Sequence, residues 1–105
     1  MDERDFVTKA EAELGRLDDA LTDLERDDFD WQLSDGVLTV ELADKSKIIV
    51  SINRPAKEIW VAMRSQGLHF FFDAAVSAWR TSSGEELYGS LSGYLSEKVG
   101  ETLSL

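Results

Sequence analysis

From Phe6 to Leu24 an apolar residue recurs every third or fourth position: Phe6, Ala10, Leu14, Leu17, Leu21 and Leu24. At 3.6 residues per turn these positions form one stripe, so the segment reads as an amphipathic helix with a single face to bury. After Asp35-Gly36 the period changes to two. That dipeptide favours a two-residue hairpin turn, with strands expected over residues 29–33 and 37–42. Leu38, Val40 and Leu42 share one face of the second strand, and Val37, Thr39 and Glu41 the other. A turn around residues 43–46 leads to a strand over 47–52. Asn53-Arg54-Pro55-Ala56 then reads as a turn, because proline fixes its own φ and lacks a donor. Strands over 59–64, 68–73 and 78–81 follow, with Gln66-Gly67 read as the turn between the first two.

The last element opens on Ser83-Gly84-Glu85-Glu86, which has the form of a capping box with Ser83 as cap and Glu86 reaching back. Leu87, Leu91 and Leu95 make its stripe, and Gly100 is placed to end it. Gly89 and Gly93 inside it each cost about 1 kcal/mol relative to alanine, so close packing against a neighbour is expected there. The tail carries Leu103 and Leu105, which are expected to tuck against the helices. Short connections make the six strands an antiparallel meander. Two helices with one apolar stripe each must cover the same sheet face. The expected fold is a two-layer α+β sandwich, one domain over residues 1–105.

Charge is distributed unevenly. The chain carries -10 overall, and its first 30 residues hold twelve acids against four bases, or -8. Residues 18–30 hold six aspartates and one glutamate, answered only by Arg26. Glu11, Asp18 and Glu25, seven apart, fall on one helical face, with Asp19 and Asp23 beside it. Like charges four apart cost a few tenths of a kcal/mol, and acids near a helix C-terminus oppose its dipole. A local rule broken over more than one turn points to function. Such a field repels phosphate, which excludes nucleic acid and anionic membranes as partners and favours cations and basic protein surfaces. With no cysteine there is no disulfide, thiolate metal site or cysteine nucleophile. No apolar run is long enough to span a bilayer and no signal peptide is recognisable, so a cytoplasmic protein is expected.

The sheet face away from the helices should be polar, as Thr39, Glu41, Lys47 and Ser51 are. Alternation nevertheless places Trp60 on it, together with Ala62, Arg64, His69 and Phe71, while Ile59, Val61, Met63, Leu68, Phe70 and Phe72 point inward. An outward tryptophan near Asn53, Arg54 and Arg64 has the character of a binding hot spot, unless a bulge or register slip buries it. His69 reads as an ordinary surface histidine rather than a metal ligand. No phosphate loop, Ser-His-Asp arrangement or Cys/His zinc spacing is present. The acids do not match an EF-hand loop, and as a solvated ridge they do not suit general acid catalysis. What remains is loose binding of hard cations, Ca²⁺, Mg²⁺, Mn²⁺ or oxidised iron, with an acidic face serving only solubility as the competing reading.

The segments GVLTVEL (36–42), KIIVSINR (47–54), IWVA (59–62), GLHFFFD (67–73), Trp79 and SGEEL (83–87) resemble bacterial frataxin of the CyaY type, over nearly the whole chain. The resemblance implies a helix–sheet–helix sandwich with an iron-binding acidic ridge on the first helix and strand. It also implies binding to the cysteine desulfurase of iron–sulfur cluster assembly, with the scaffold protein as a further partner, and a modulating role there. Asp18, Asp19 and Asp23 match the helical part of the ridge; Glu25, Asp27, Asp28 and Asp30 match the loop and strand part. Glu11 completes the expected metal-binding set. Trp60 matches the exposed sheet tryptophan, with Asn53 at the neighbouring turn and Arg64 completing the partner-binding set with Asp18, Asp19 and Asp23. Departures exist: the turn at 53–56 is shorter than in relatives and lacks their glutamine. Thr22 and Gln32 stand where relatives often carry acids, for which Asp27-Asp28 partly substitutes. The expected protein is a monomer, with iron-driven self-association open. It binds iron weakly and is no enzyme, with a metal-free acidic adaptor and a ferroxidase as alternatives.

Overall fold

A computed structural model describes residues 1–63 and 66–105. The elements are α1 (Glu3–Asp23), β1 (Phe29–Ser34), β2 (Val37–Leu42), β3 (Lys47–Asn53), β4 (Glu58–Met63), β5 (Gln66–Asp73), β6 (Ala78–Arg80) and α2 (Leu87–Val99). The strands lie in chain order in one sheet, each pair antiparallel. Helix α1 starts where the Asp2 carboxylate accepts the Asp5 N–H at 2.8 Å, which satisfies one of the four donors a helix start leaves free. Phe6, Ala10, Leu14, Leu17 and Leu21 are buried, as the stripe requires. Against them lie Leu38, Val40, Leu42, Ile48, Val50, Ile59, Val61 and Phe70 from alternate strand positions, and Leu87, Leu91 and Leu95 from α2. Trp79 meets Phe6 and Phe72 edge to face, with ring centroids 5.8 and 5.5 Å apart. Both helices pack on one face, giving the two-layer α+β sandwich.

The Asp35-Gly36 hairpin forms as read: both residues have positive φ, 51° and 76°, and Ser34 faces Val37 across them. The tail also behaves as expected. Ser96 Oγ accepts the Leu103 N–H at 2.8 Å, Ser92 Oγ accepts the Leu105 N–H at 2.9 Å, and both leucines pack on the core. Gly100 ends α2 in the left-handed conformation, φ 77°.

Four readings need correction. Gln66 and Gly67 are not a turn but the first residues of β5, opposite Met63 and Ala62. Gly67 sits where a side chain would meet nothing within 4 Å, so sheet pairing outweighs its turn propensity. The 64–65 connection, Arg64 included, lies outside the described residues. Ser83 does not cap α2. Glu86 is itself the N-cap, accepting the Gly89 N–H at 3.1 Å, while Ser83 Oγ lies 3.2 Å from Thr81 Oγ1. The buried Thr81 organises that turn, exchanging bonds with the backbone of Glu85. Glu25 lies beyond α1 with φ 53°, off the helical face that it was expected to share with Glu11 and Asp18. Finally, Gly89 and Gly93 are not closely packed: a Cβ at either would meet nothing within 4 Å. Both open onto a groove that Met63, Leu68 and Tyr94 also line.

With no neighbour to clash and helical backbone at both sites, Gly89→Ala and Gly93→Ala should each stabilise the protein by about 1 kcal/mol. Thermal unfolding of the single and double variants checks this; a lowered midpoint would show that something does occupy the groove.

Candidate functional site

The acidic residues are positioned by the packing of α1 beside β1. Phe29, Trp31 and Leu33 alternate toward the helix side of the sheet, and Trp31 donates its Nε1–H to Asp18 Oδ1 at 2.8 Å. Asp18 is therefore half-buried and already hydrogen-bonded. Asp19 and Asp23, one turn apart on the outer side of α1, are exposed. Beyond the helix end, Glu25 and Asp27 project from the loop, also exposed. Among the described residues, the side chains of Asp19, Asp23, Glu25, Asp27 and Asp30 make no hydrogen bond or ion pair.

Asp28 differs. Arg26 holds it bidentately, Nε to Oδ1 at 3.0 Å and Nη2 to Oδ2 at 2.7 Å, and reaches Glu101 in the tail with Nη1 at 2.8 Å. The guanidinium bond lowers the Asp28 carboxyl below its ordinary value, and the two carboxylates raise Arg26 in turn. Asp30 points to the sheet face away from the helices, opposite Glu41, whose carboxylate lies 3.9 Å from Lys47 Nζ. Glu11 stands apart, two turns before Asp18 or about 10 Å along the axis, in a notch with Asp35, Gly36 and Arg54. Asp18, Asp19 and Asp23 thus lie on α1, Glu25 and Asp27 on the loop after it and Asp30 on the far face of β1; Asp28 is paired with Arg26 and Glu11 is remote.

Carboxylate oxygens are suitable donors for iron and other hard cations. Among the described residues, however, no three acids converge closely enough to enclose an ion. The arrangement offers open, separate carboxylates on α1, β1 and the loop between them, suited to loose ion contacts and to charge complementarity with a basic surface.

On the uncovered sheet face Trp60 is 38% exposed, which settles its direction. It stacks on His69 with centroids 4.5 Å apart and planes 9° apart, and it donates Nε1–H to Glu58 Oε1 at 2.8 Å. His69 Nδ1 lies 3.5 Å from the same oxygen. Ile49 and Phe71 extend the exposed apolar surface. Asn53 has a local task, its Oδ1 accepting the Ala56 N–H at 2.9 Å to close the β3–β4 turn. Trp60 and Asp30 share this face, three strand spacings apart across the sheet and, because Trp60 is in line with Ser51, Val37 and Ser34, four residues apart along it, or roughly 20 Å in all.

Sequence reasoning missed three side chains. Trp31 ties the ridge together; its place at i+2 from Phe29 was the available signal. Glu13 is only 5% exposed, held by Arg16 Nη2 at 2.9 Å, so it is withdrawn from the surface charge. Nothing in the local pattern revealed the Arg26–Glu101 contact, which spans 75 positions.

The Arg26–Asp28 bond carries a pH signature. A carboxyl with a lowered folded pKa contributes stability above its ordinary value of 3.8, lost as pH falls through the lower folded value. Arg26→Gln should therefore lower stability at neutral pH, and its deficit should shrink as acid protonates Asp28. Urea unfolding at a series of pH values reads this out.

Comparison with known proteins agrees with this architecture. A frataxin-like domain model matches residues 1–101. The iron–sulfur cluster assembly protein CyaY of Dechloromonas aromatica is 45% identical over 107 residues, covering 100% of this chain and 99% of its own. The CyaY of Paraburkholderia xenovorans is 39% identical over 102 residues, covering 96% and 94%. A solved frataxin from Psychromonas ingrahamii superposes with a TM-score of 0.90 at 22% identity, over 99% of this chain and 97% of that one. With six antiparallel strands under two helices and a family match over nearly its full length, the chain belongs to the frataxin-like family.

Proposed function

We propose that this protein serves iron–sulfur cluster assembly by docking its acidic ridge on a basic patch of a cysteine desulfurase and by holding iron loosely on the same carboxylates. The observation that carries this reading is a set of five acids, Asp19, Asp23, Glu25, Asp27 and Asp30, with no internal partner among the described residues, on α1, β1 and the loop between them in a frataxin-like fold. The named relatives are iron–sulfur cluster assembly proteins, which supplies the setting. Unpaired carboxylates raise the encounter rate with a basic partner, and that contribution falls with salt. Iron and partner would draw on one set of oxygens, so each weakens or strengthens the other's binding by the same factor. Trp60 supplies the apolar contact. At roughly 20 Å from Asp30 it lies within the footprint of one interface of ordinary size.

Asp19→Lys with Asp23→Lys should abolish desulfurase binding at physiological salt. Asp18→Asn, which removes charge but keeps an acceptor for the Trp31 indole, should weaken it with little loss of stability. Surface plasmon resonance at two salt concentrations measures both, and undiminished affinity in the double variant would sink the docking. Anaerobic calorimetry with Fe²⁺ tests the metal: no saturable heat leaves a metal-free adaptor, and catalytic oxygen consumption identifies a ferroxidase.

Trp60→Arg should weaken assembly by a factor of about ten or more, as loss of an interface aromatic does. Its thermal midpoint should stay close to that of the parent, because the ring is already in solvent. A collapsed transition would show instead that Trp60 supports the fold.

A further inference from the structure

The two edges of the sheet are finished differently. Strand β6 is three residues long and is joined by a bridge from Arg80 to Glu86. Strand β1 is six residues long, and among the described residues no segment pairs with its outer side. The register identifies the backbone groups left over. Gly36 O accepts the Ile52 N–H, and Leu42 N–H donates to Ser46 O, so the even-numbered residues of β2 face β3. Val37, Thr39 and Glu41 consequently bond to Ser34, Gln32 and Asp30, the residues opposite them. Phe29, Trp31 and Leu33 turn their N–H and C=O groups outward, presenting three donors and three acceptors along one edge.

The surroundings of that edge select its occupant. Asp18 of α1 flanks it on the helix side, through the Trp31–Asp18 bond, with the exposed Asp19 and Asp23 further round the helix, and Asp30 flanks it on the other. Side chains of an added strand would alternate between these two acidic sides. A second copy of this chain would set aspartates against aspartates, and like charges across a strand pair are destabilising. An extended basic segment meets complementary charge on both faces, with Leu33, 37% exposed, as an apolar contact.

We propose that the outer edge of β1 accepts an additional strand from an extended, Lys/Arg-rich segment of a partner protein. The proposal rests on the ridge being a docking surface and adds that the partner's backbone is bound as well as its charged side chains. Backbone pairing provides affinity and alternate side chains provide specificity, the mode known as strand addition.

The test uses the full chain and a synthetic peptide of about nine residues alternating lysine and valine, long enough to span β1 at about 3.3 Å per residue. Amide hydrogen exchange is followed by NMR at low salt. Phe29, Trp31 and Leu33 amides should slow by about tenfold or more on binding, while Gln32, already in the ladder, changes little. Leu33→Pro removes an outward donor without breaking a β1–β2 bond and should weaken the peptide by about tenfold. Its thermal midpoint verifies folding, and the exchange measurement on the unaltered chain stands without it. Peptide binding that shifts Asp19 and Asp23 but leaves those three amides unprotected would overturn strand addition and preserve the ridge as a docking surface. No binding of the peptide at low salt would overturn both.

Discussion

The burial of the α1 stripe against one face of the sheet is the contact on which the rest depends. Phe6, Leu14, Leu17 and Leu21 are each 2% exposed or less. At about 1.5–3 kcal/mol per buried side chain, these four contribute roughly 6–12 kcal/mol relative to exposure. The opposing terms are smaller: a few tenths for the Asp19–Asp23 pair one turn apart, and up to about 1 kcal/mol for each acid near the negative helix end. The helix therefore forms despite its charge. Packing keeps the acids in fixed positions that their own repulsion would otherwise disperse.

That same packing decides which acids are available. An amphipathic helix laid beside an edge strand must bring one of its flanks close to the strand. Asp18 lies on that flank and is engaged by Trp31, whereas Asp19 and Asp23 are turned to solvent. Arg26, the only base in the stretch, is occupied by Asp28 and Glu101. It thereby fastens the loop after α1 to the tail after α2 and leaves its neighbours uncompensated. Neutralisation is local, at one acid, and the remaining field stays outward.

Most of the fold was legible because its period changes are clean: Phe6 to Leu21 at three and four, Leu38 to Leu42 and Ile48 to Val50 at two. The Asp35-Gly36 turn was legible because few residues tolerate two positive φ values in succession. Misreadings fell where local composition competed with non-local pairing. Gln66-Gly67 has the look of a turn, yet it is held in the ladder by Ala62 and Met63. Ser83 has the look of a cap, yet the buried Thr81 takes over that end of the chain. For the site, charge density was legible and connectivity was not. Periodicity alone would put Glu25 with Asp18 and give Asp28 the same freedom as Asp27. A left-handed residue after the helix and an arginine bonded across the fold separate them.

The geometry bears on whether iron and a basic partner could be held together. Free carboxylates on a convex surface satisfy an ion with two or three oxygens at most, leaving water to complete its shell. An ion so bound cancels the charge that attracts a basic protein while giving no new contact to it. Strand addition at β1 would act differently, because outward N–H and C=O groups keep their bonding capacity whatever the state of the acids. If the ridge attracts and the edge holds, metal loading should slow association far more than it speeds dissociation. A surface that relied on side-chain charge alone would show both effects together.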